Sequence, residues 1–573
     1  MVEKGFFNDE TGERKSRKRE CLDSVLEAIE RQILKGGPTL TFVQLPPGYG
    51  KTAIPYSLSL WAASLDELHL ERSIHVLPLR SIVEDSWGRF KRGLRKLGLQ
   101  DHEAEGLAGA QCMFIHGSPF LQKTLAITTL DTFTLLAVKL PPAEMRKIAH
   151  KRSLGHYEVA RGALFSSVVV FDEVHLFFEE RSGRGYDKPL TALLGLIRAL
   201  LIWCVPVIIV TATLPQIWRQ ELKDNLQKIA PKPAVMELTY GVNGLTDKEF
   251  DDEVSSANMH TGTFNSDESY MREIADAARS YERILVVTNT IERARALYEK
   301  LKDYGPILLH SKFTQGDREG KLKRIIDKGG RWFCISTQVI EAGVDVSAQA
   351  LFTDIAPLCA LIQRSGRCCR PPYGKMEEGE VEICISEEAI RHARKIYDSN
   401  SLEKSREVLG KITSNFNWHS YAGYMPLLEG AYSGRDRHGR RIGHLHLTYM
   451  LKLLLDPRWE SADAFNLLLE LGSLTRDEPL ITGVVCEDQE VSDGMEALSK
   501  YRERLIPLEL KDLLNIPRRC GIKLLTVDGK EDIELKSSSK EALYKLYKEM
   551  LYGDVIAVQV PPELYDRERG LLI

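Results

Sequence analysis

Residues 335–370, ISTQVIEAGVDVSAQALFTDIAPLCALIQRSGRCCR, place three local signals close together. Thr337 predicts the end of a strand, and Gly343 and Asp345 predict a turn. A helix is predicted next, and it would carry Gln363, Arg367 and Arg370. Two arginines three residues apart lie on one face of a helix and can deliver positive charge together. The transition state of a polyphosphate cleavage needs such charge. An exposed basic helix is the alternative, and the arginine spacing alone does not exclude it.

A second signal lies upstream, where an apolar strand over residues 39–45 runs into the loop PPGYGKT. Glycines let backbone N–H groups turn toward phosphate oxygens, a lysine reaches the β- and γ-phosphates, and the next hydroxyl ligates Mg²⁺. The predicted nucleotide-binding residues are Pro47, Gly48, Tyr49, Gly50, Lys51 and Thr52, joined by Gly343 and Asp345. Leu45 replaces the first glycine of the usual pattern, and GxGKT also occurs as an ordinary turn before a helix.

The segment VVVFDEVH, residues 168–175, is an apolar run that ends in two carboxylates. It predicts a buried parallel strand whose acids lie at the carboxyl edge of a sheet, where open α/β sheets bind ligands. We expect Asp172 to hold Mg²⁺ through water, and Glu173 to orient or deprotonate the attacking water. The alternative is a solvated acidic turn. The separation from Lys51, which fits several βα units, disfavours that alternative.

The phosphate loop, DEVH, Thr211-Ala212-Thr213 and the arginine-bearing segment follow one another in the order of a superfamily 2 helicase. Over roughly residues 40–390 the chain resembles the helicase component of type I CRISPR interference. The resemblance rests on QLPPGYGKT, VVFDEVH, VTATLP, VVTNTIERARALYEKL, LLHSKFTQGDR and STQVIEAGVDV…LIQRSGRCCR. It implies a single-stranded DNA translocase that uses ATP and Mg²⁺, moves 3′→5′ and is recruited by the guide-RNA surveillance complex Cascade.

The same resemblance assigns roles to residues near the strand ends. Contacts to phosphates position a nucleic-acid strand without reading its sequence. The predicted nucleic-acid contacts are Arg80, Thr128, Thr129, Thr132, Thr288, Asn289, His310, Ser311 and Thr337. The predicted coupling residues are His175, Thr211 and Thr213, and the predicted catalytic set is Lys51, Asp172, Glu173, Gln363, Arg367 and Arg370. Turn and capping roles explain each threonine, taken singly, about as well.

The order of strand and helix patterns predicts an α/β fold with two RecA-like, doubly wound parallel-sheet domains and a C-terminal accessory domain. The predicted domains are residues 1–245, 246–392 and 393–573, with a polar linker over 241–269. The predicted strands are 39–45, 74–79, 126–130, 168–171 and 207–211, and then 284–287, 307–309, 332–336, 350–353 and 381–385. Two such domains suit a nucleotide bound between them.

Composition bears on the surface charge of the protein, on its redox compartment and on its relation to membranes. The 573 residues carry a net charge of −4, which argues against a uniformly basic surface but not against a basic groove. Ten cysteines without a CxxC pair favour a reducing cytoplasm. The charged N-terminus lacks the apolar core of a signal peptide. The apolar stretch 189–215 predicts a buried helix followed by a strand, not a membrane span.

Proteins of the resembled family usually work with a metal-dependent HD nuclease. The chain contains no His-Asp dipeptide, and its phosphate loop begins by Gly48. We therefore expect no intrinsic nuclease and a separate HD nuclease subunit as partner. Two alternatives stay open: a general DNA or RNA helicase outside CRISPR immunity, and a non-catalytic scaffold that binds nucleic acid and proteins.

Overall fold

The fold consists of two large, mostly parallel sheets and a smaller third sheet, flanked by helices. The computed structural model describes residues 19–65, 70–96, 98–178, 186–226, 231–326, 330–341, 344, 346–370, 378–433, 442–517, 522–527, 529–533, 540–553 and 555–573.

The first sheet has eight strands, most of which contain β-branched residues. These are β1 (Thr39–Gln44), β2 (Arg72–Leu77), β3 (Ala108–Cys112), β4 (Ile115–His116), β5 (Leu125–Thr129), β6 (Ser167–Asp172), β7 (Val207–Thr211) and β8 (Ala234–Thr239). Their order is β4-β3-β5-β2-β6-β7-β1-β8, and neighbouring strands are parallel except for the pair β3–β4. Because β6, β7 and β1 are adjacent, the segments that follow them meet at one edge of the sheet.

Helices cover both faces of this sheet. They are α1 (Glu20–Leu34), α2 (Ala53–Ala63), α3 (Arg80–Lys96), α4 (Asp101–Leu107), α5 (Leu130–Ala137), α6 (Met145–Ala149), α7 (Tyr157–Phe165), α8 (His175–Phe178), α9 (Lys188–Ile202), α10 (Gln216–Leu226) and α11 (Lys248–Ser255). The apolar stretch 189–215 forms the buried helix α9 and then β7, as predicted. In the part of the chain that the structure describes, every helix is too short or too polar to cross a membrane.

The second sheet is parallel throughout and has the order β11-β12-β10-β13-β14-β9. Its strands are β9 (Asn258–Phe264), β10 (Arg283–Val287), β11 (Ile307–Leu309), β12 (Trp332–Ser336), β13 (Ala350–Asp354) and β14 (Glu378–Cys384). Its helices are α12 (Asp267–Ser280), α13 (Ile291–Lys300), α14 (Gln315–Ile326), α15 (Leu358–Ser365) and α16 (Glu387–Arg394).

The stretch 241–269 is not the linker that its polar composition predicted. It contains α11 and β9. Phe250 and Val254 of α11 pack into the same core as α1, whereas β9 pairs with β14. The chain therefore passes from the first sheet to the second at residues 256–257.

The remaining residues form further helices and a five-stranded sheet. The helices are α17 (Ser399–Leu409), α18 (Tyr421–Tyr432), α19 (His444–Leu455), α20 (Ser461–Leu471), α21 (Gly494–Lys500) and α22 (Lys540–Tyr552). The strands are β15 (Leu480–Val485), β16 (Leu505–Glu509), β17 (Ile522–Thr526), β18 (Lys530–Ile533), β19 (Val555–Val560), β20 (Tyr565–Asp566) and β21 (Gly570–Leu571). The first five have the order β16-β15-β19-β17-β18, and β20 and β21 form a separate hairpin.

The predicted fold class is confirmed. The ten predicted strands all form, with ends shifted by at most three residues. The five-stranded third sheet lies within the predicted C-terminal accessory domain, for which composition and pattern specified no sheet.

Candidate active site between the two large sheets

The phosphate loop connects β1 to α2 at the carboxyl edge of the first sheet. Gly48 and Gly50 have φ angles of +78° and +97°, in the left-handed region that favours glycine. Lys51 is only 8% exposed, and its Nζ donates to the carbonyl oxygens of Pro46 at 3.1 Å and Leu45 at 3.4 Å. Burial lowers the pKa of Lys51. The side chain of Lys51 thus lies against its own loop, and its ammonium group lies beside the cleft.

The side chain of Tyr49 has a different role from its neighbours in the loop. It is fully buried, its hydroxyl donates to Asp247 Oδ2 at 2.7 Å, and it accepts from the backbone N–H of Cys21 at 3.1 Å. These bonds tie the loop to α1 and to the start of α11. Any contribution of Tyr49 to a nucleotide site therefore comes from its backbone.

The two acids predicted from VVVFDEVH lie where β6 ends. Asp172 Oδ1 accepts from the backbone N–H of Glu173 at 2.8 Å, and the same N–H donates to Val210 O at 2.9 Å. Glu173 has a φ of +50°, a conformation that costs a non-glycine residue about 1–2 kcal/mol. Burial alone raises the pKa of Glu173, but the neighbouring His175 and Lys51 outweigh it and hold that pKa at about 2. Glu173 is therefore an ionised base held in a strained, fixed position.

Two arginines from the second sheet face these first-sheet groups. A Cβ placed on Gly48 would lie 3.3 Å from Arg370 Nε, so this guanidinium lies against the phosphate loop. Arg367 is 9% exposed and donates to Glu341 O at 2.8 Å. The positive charges of Arg370 and Arg367 add to the depression of the pKa of Lys51. The structure thus brings Lys51, Glu173 and both arginines together across one cleft.

The prediction that these arginines share a helix face is wrong. Helix α15 ends at Ser365, and Gly366 follows it as the C-terminal cap. The chain then leaves the helix and forms an isolated bridge between Cys368 and Ala348, in which Ala348 N donates to Arg367 O and Cys369 N donates to Ala348 O, both at 2.8 Å. After Gly366, backbone bonds to Ala348 form instead of a further turn of α15. Arg367 and Arg370 therefore reach the cleft from a loop.

A chain of polar contacts joins the acidic strand to α15. His175 Nδ1 lies 3.3 Å from Glu173 Oε2 and 3.1 Å from Thr211 Oγ1. Thr213 N donates to Thr211 Oγ1 at 3.3 Å, and Gln363 Nε2 donates to Thr213 Oγ1 at 3.4 Å. The three predicted coupling residues thus form a continuous path between Glu173 and the second domain.

The predicted nucleic-acid contacts of the first domain lie at the carboxyl ends of β2 and β5. Thr128 donates to Gln111 O at 2.7 Å, and Thr129 caps α5 by accepting from Thr132 N at 3.4 Å. All three threonines are buried. Arg80 begins α3 with its guanidinium 4.4 Å from the ring centroid of Phe114. In this conformation the threonines have structural bonds, and their contact with nucleic acid stays a prediction.

In the second domain, Thr288, Asn289 and Thr337 are buried at the ends of β10 and β12. Asn289 Oδ1 accepts from Arg364 at 2.9 Å, and Arg364 is fully buried and paired with Glu341 at 2.7 Å. Sequence reasoning missed Arg364. Within α15 it is adjacent to Gln363, and no periodicity distinguishes a buried structural arginine from one that faces the cleft.

The C-terminal hairpin covers the predicted contact His310. His310 is fully buried, its Nε2 donates to Arg569 O at 3.1 Å, and burial lowers its pKa to about 3. The hairpin is also held by a bond from Leu571 N to Lys312 O at 2.9 Å and one from Tyr565 Oη to Asp317 at 2.7 Å. His310 cannot contact nucleic acid directly while the hairpin is in place, whereas its neighbour Ser311 is exposed.

Gly570 fixes how closely this hairpin approaches. Its φ is +76°, and an added Cβ would lie 2.5 Å from Lys312 O and 2.7 Å from His310 Cε1. We expect Gly570→Ala to detach the hairpin and to raise amide hydrogen exchange at residues 307–317 by at least about tenfold. Gly305→Ala is the matched control, because Gly305 has a φ of +67° with open space around its Cβ. Equal, small effects of the two changes would contradict a closely packed hairpin.

Oxygen ligands for Mg²⁺ are present beside the loop. The Thr52 hydroxyl at the start of α2 and the Asp172 carboxylate are of the kind that Mg²⁺ prefers. Among the described residues, no group of three or more His, Cys, Asp or Glu side chains could hold a metal ion. Mg²⁺ usually keeps several waters and binds one or two carboxylates together with substrate phosphates, so Thr52 and Asp172 suit an ion that arrives with a nucleotide. Gly343 and Asp345 lie outside the described residues.

Comparison with known proteins agrees with this geometry. The family model described as DEAD/DEAH box helicase matches residues 23–221. The model described as CRISPR-associated nuclease/helicase Cas3, C-terminal, matches residues 280–372. Between them the two matches include the phosphate loop, the acidic strand, α15 and both arginines.

One curated relative and two solved structures are similar to this chain. The CRISPR-associated nuclease/helicase Cas3 of Methanothermobacter thermautotrophicus is 25% identical over 390 residues, which are 65% of this chain and 43% of that protein. The chain therefore spans less than half the length of that relative. The crystal structure of T. fusca Cas3-AMPPNP has a TM-score of 0.62 at 15% identity, covering 97% of this chain and 71% of that one. A chain of a CRISPR RNA-guided surveillance complex, pre-nicking, has a TM-score of 0.55 at 16% identity, covering 97% of this chain and 72% of that one. Over both large sheets the chain is thus similar to CRISPR-associated Cas3 helicases.

Proposed function

We propose that this relative of the Cas3 helicases is an ATP-dependent translocase and helicase that moves 3′→5′ on single-stranded DNA in CRISPR interference. One observation supports the proposal above all others. Lys51 and Glu173 from the first sheet and Arg367 and Arg370 from the second converge on the phosphate loop across one cleft. A non-catalytic scaffold does not require that convergence of charges.

The proposed roles follow from the chemistry of each group. Lys51 binds the β- and γ-phosphates, and Glu173, ionised at neutral pH, orients the attacking water and accepts its proton. Arg367 and Arg370 offset the negative charge that develops on the transferred phosphoryl group. Thr52 and Asp172 would hold Mg²⁺, which neutralises phosphate charge when bound.

Motion would come from the same cleft. Bound ATP would hold the arginines of the second domain against the phosphate loop, and hydrolysis would release them. The path from Glu173 through His175, Thr211 and Thr213 to Gln363 connects the second domain to the catalytic carboxylate. Alternate closure and opening of the cleft would then move the predicted nucleic-acid contacts of the two domains along a DNA strand in steps.

The proposed partners come from the relatives. One structural neighbour is a chain of a CRISPR RNA-guided surveillance complex, which supports recruitment by Cascade to a displaced DNA strand. The matched relative is named a nuclease/helicase, and both family models fall on helicase segments. We therefore propose that a separate HD nuclease subunit cuts the DNA that this chain unwinds.

A strand-displacement assay tests the proposal. Partial duplexes with a 3′ or a 5′ single-stranded tail, in DNA and in RNA, are incubated with ATP and Mg²⁺, with Lys51→Ala as the control. We expect ATP-dependent displacement from the 3′-tailed DNA, at least about tenfold faster than from the other substrates. Preference for RNA would favour a general helicase, and binding without displacement or ATP hydrolysis would favour a scaffold.

The same reactions report on nuclease activity when the labelled strand is followed on a denaturing gel. We expect the strand to stay intact with Mg²⁺, Mn²⁺, Co²⁺ or Ni²⁺. Cleavage that co-purifies with the chain, and is lacking in an empty-vector preparation, would contradict the separate nuclease.

A further inference from the structure

A histidine in the middle of the first sheet contacts the proposed magnesium carboxylate. His75 lies on β2 and is fully buried, with its Nε2 3.1 Å from Asp172 Oδ2. In the parallel pair β2–β6, His75 is the register partner of Val170. Side chains alternate along a strand, so Asp172 lies on the same sheet face as Val170, diagonal to His75. The contact is therefore a direct consequence of strand register.

Both oxygens of Asp172 are held. Oδ1 accepts from the backbone N–H of Glu173 at 2.8 Å, and Oδ2 faces His75 Nε2. An ionised carboxylate has no proton to donate, so the imidazole N–H is the donor. One bond leaves a carboxylate free to rotate about its Cβ–Cγ axis, whereas bonds to both oxygens fix the plane of the group. The lone pairs that remain then point in defined directions.

Packing alone does not favour a histidine at this place. His75 Nδ1 has no hydrogen-bond partner among the described residues and is shielded from solvent. A buried polar atom left in this way costs about 1–3 kcal/mol, a penalty that leucine or phenylalanine would avoid. The ring of Tyr56, on the helix that follows the phosphate loop, packs edge-on against His75 with centroids 6.3 Å apart. Among the described residues, the one hydrogen bond that the His75 ring makes is directed at Asp172.

We propose that His75 is a positioning residue that sets the orientation of Asp172 for the metal–nucleotide complex. The inference rests on the proposed ATP site. Partners of this kind typically change metal affinity or activity by 10- to 100-fold when removed. Nothing in the apolar pattern around His75 marks it in the sequence, because a histidine inside a buried strand predicts only core packing.

Two variants distinguish a role of His75 in orienting Asp172 from a role in packing the core. His75→Phe keeps a ring of similar size without the donor, and His75→Gln keeps an N–H close to the position of Nε2. Binding of Mn²⁺–ADP is measured by electron paramagnetic resonance, and the Mg²⁺ concentration for half-maximal ATP hydrolysis is measured in parallel. We expect His75→Phe to weaken Mn²⁺–ADP binding by at least about tenfold, with the Mg²⁺ requirement shifted likewise. His75→Gln should stay within about threefold of the wild type.

A further change tests whether the effect passes through Asp172. In an Asp172→Ala background, His75→Phe and unchanged His75 should bind Mn²⁺–ADP equally, because the group that His75 orients is gone. If thermal unfolding without metal shows that His75→Phe does not fold, His75→Leu replaces it as the variant without a donor. Wild-type Mn²⁺–ADP binding in the variant without a donor, equal losses in that variant and in His75→Gln, or a loss that persists in the Asp172→Ala background would each overturn the inference. A wild-type chain that binds Mn²⁺–ADP but hydrolyses no ATP would overturn the proposed function, while the His75 comparison would still apply.

Discussion

Lys51→Ala is expected to abolish DNA-stimulated ATP hydrolysis, with a loss of at least about 10²-fold in turnover. Lys51 is the buried cation of the phosphate loop, and its Nζ is held by loop carbonyls that a phosphate oxygen can replace as its partner. Steady-state turnover at saturating single-stranded DNA measures the loss. Lys300→Ala is the matched control, because Lys300 is exposed at the end of α13.

Glu173→Gln should cause a loss of similar size by a different route. The amide keeps the shape of the side chain but can no longer accept the proton of the attacking water. Nucleotide binding should change by less than about threefold, whereas turnover falls. Near-normal turnover in either the Lys51 or the Glu173 variant, with a fold that thermal unfolding shows to be intact, would contradict the assignment of this cleft.

Arg367→Ala is expected to lower kcat by about 10³-fold while changing nucleotide Kd by only a few-fold. The arginine comes from the second domain, so its full effect depends on closure of the cleft. Rapid-quench turnover gives kcat, and titration with a fluorescent nucleotide gives Kd. A loss of affinity with unchanged kcat would mean that Arg367 only binds nucleotide.

Arg364→Ala is the informative contrast, since it lies three residues before Arg367 but is wholly buried. Its guanidinium donates to Glu341, Thr353 and Asn289. Breaking a buried pair of this kind costs about 3–5 kcal/mol, so the second domain should lose thermal stability. The Arg367 variant, in comparison, should unfold close to the wild-type temperature.

The parts of the site that are local in sequence were predictable. The phosphate loop and the acidic strand are each defined by a few consecutive residues, and the loop glycines have the positive φ angles that their positions implied. Ten of the fourteen described strands of the two large sheets followed from β-branched runs, because buried parallel strands require nearly continuous apolar sequence. The prediction missed β3, β4, β8 and β9.

The parts that depend on distant residues were not predictable. The end of α15 is set partly by backbone pairing with Ala348, which no pattern around Arg367 contains. The difference between Arg364 and Arg367 depends on where Glu341 lies in the fold. His75 resembles any buried strand residue until β2 and β6 are placed in register.

Polar composition misled the prediction at residues 241–269. Helix α11 buries only Phe250 and Val254, and β9 is an edge strand with alternating exposure, so neither gives a strong apolar pattern. The cover over His310 could not be foreseen either, because it comes from Arg569 and Gly570, about 260 residues further along the chain.

The most direct test of the account is the rate of ATP hydrolysis by the wild-type chain with single-stranded DNA, single-stranded RNA or no nucleic acid. The account predicts Mg²⁺-dependent hydrolysis that single-stranded DNA stimulates at least about tenfold, with RNA giving a smaller effect. Hydrolysis that ignores nucleic acid would contradict the coupling of the cleft to a strand. No hydrolysis under any of the three conditions, from a folded chain with Mg²⁺ present, would contradict the active site itself.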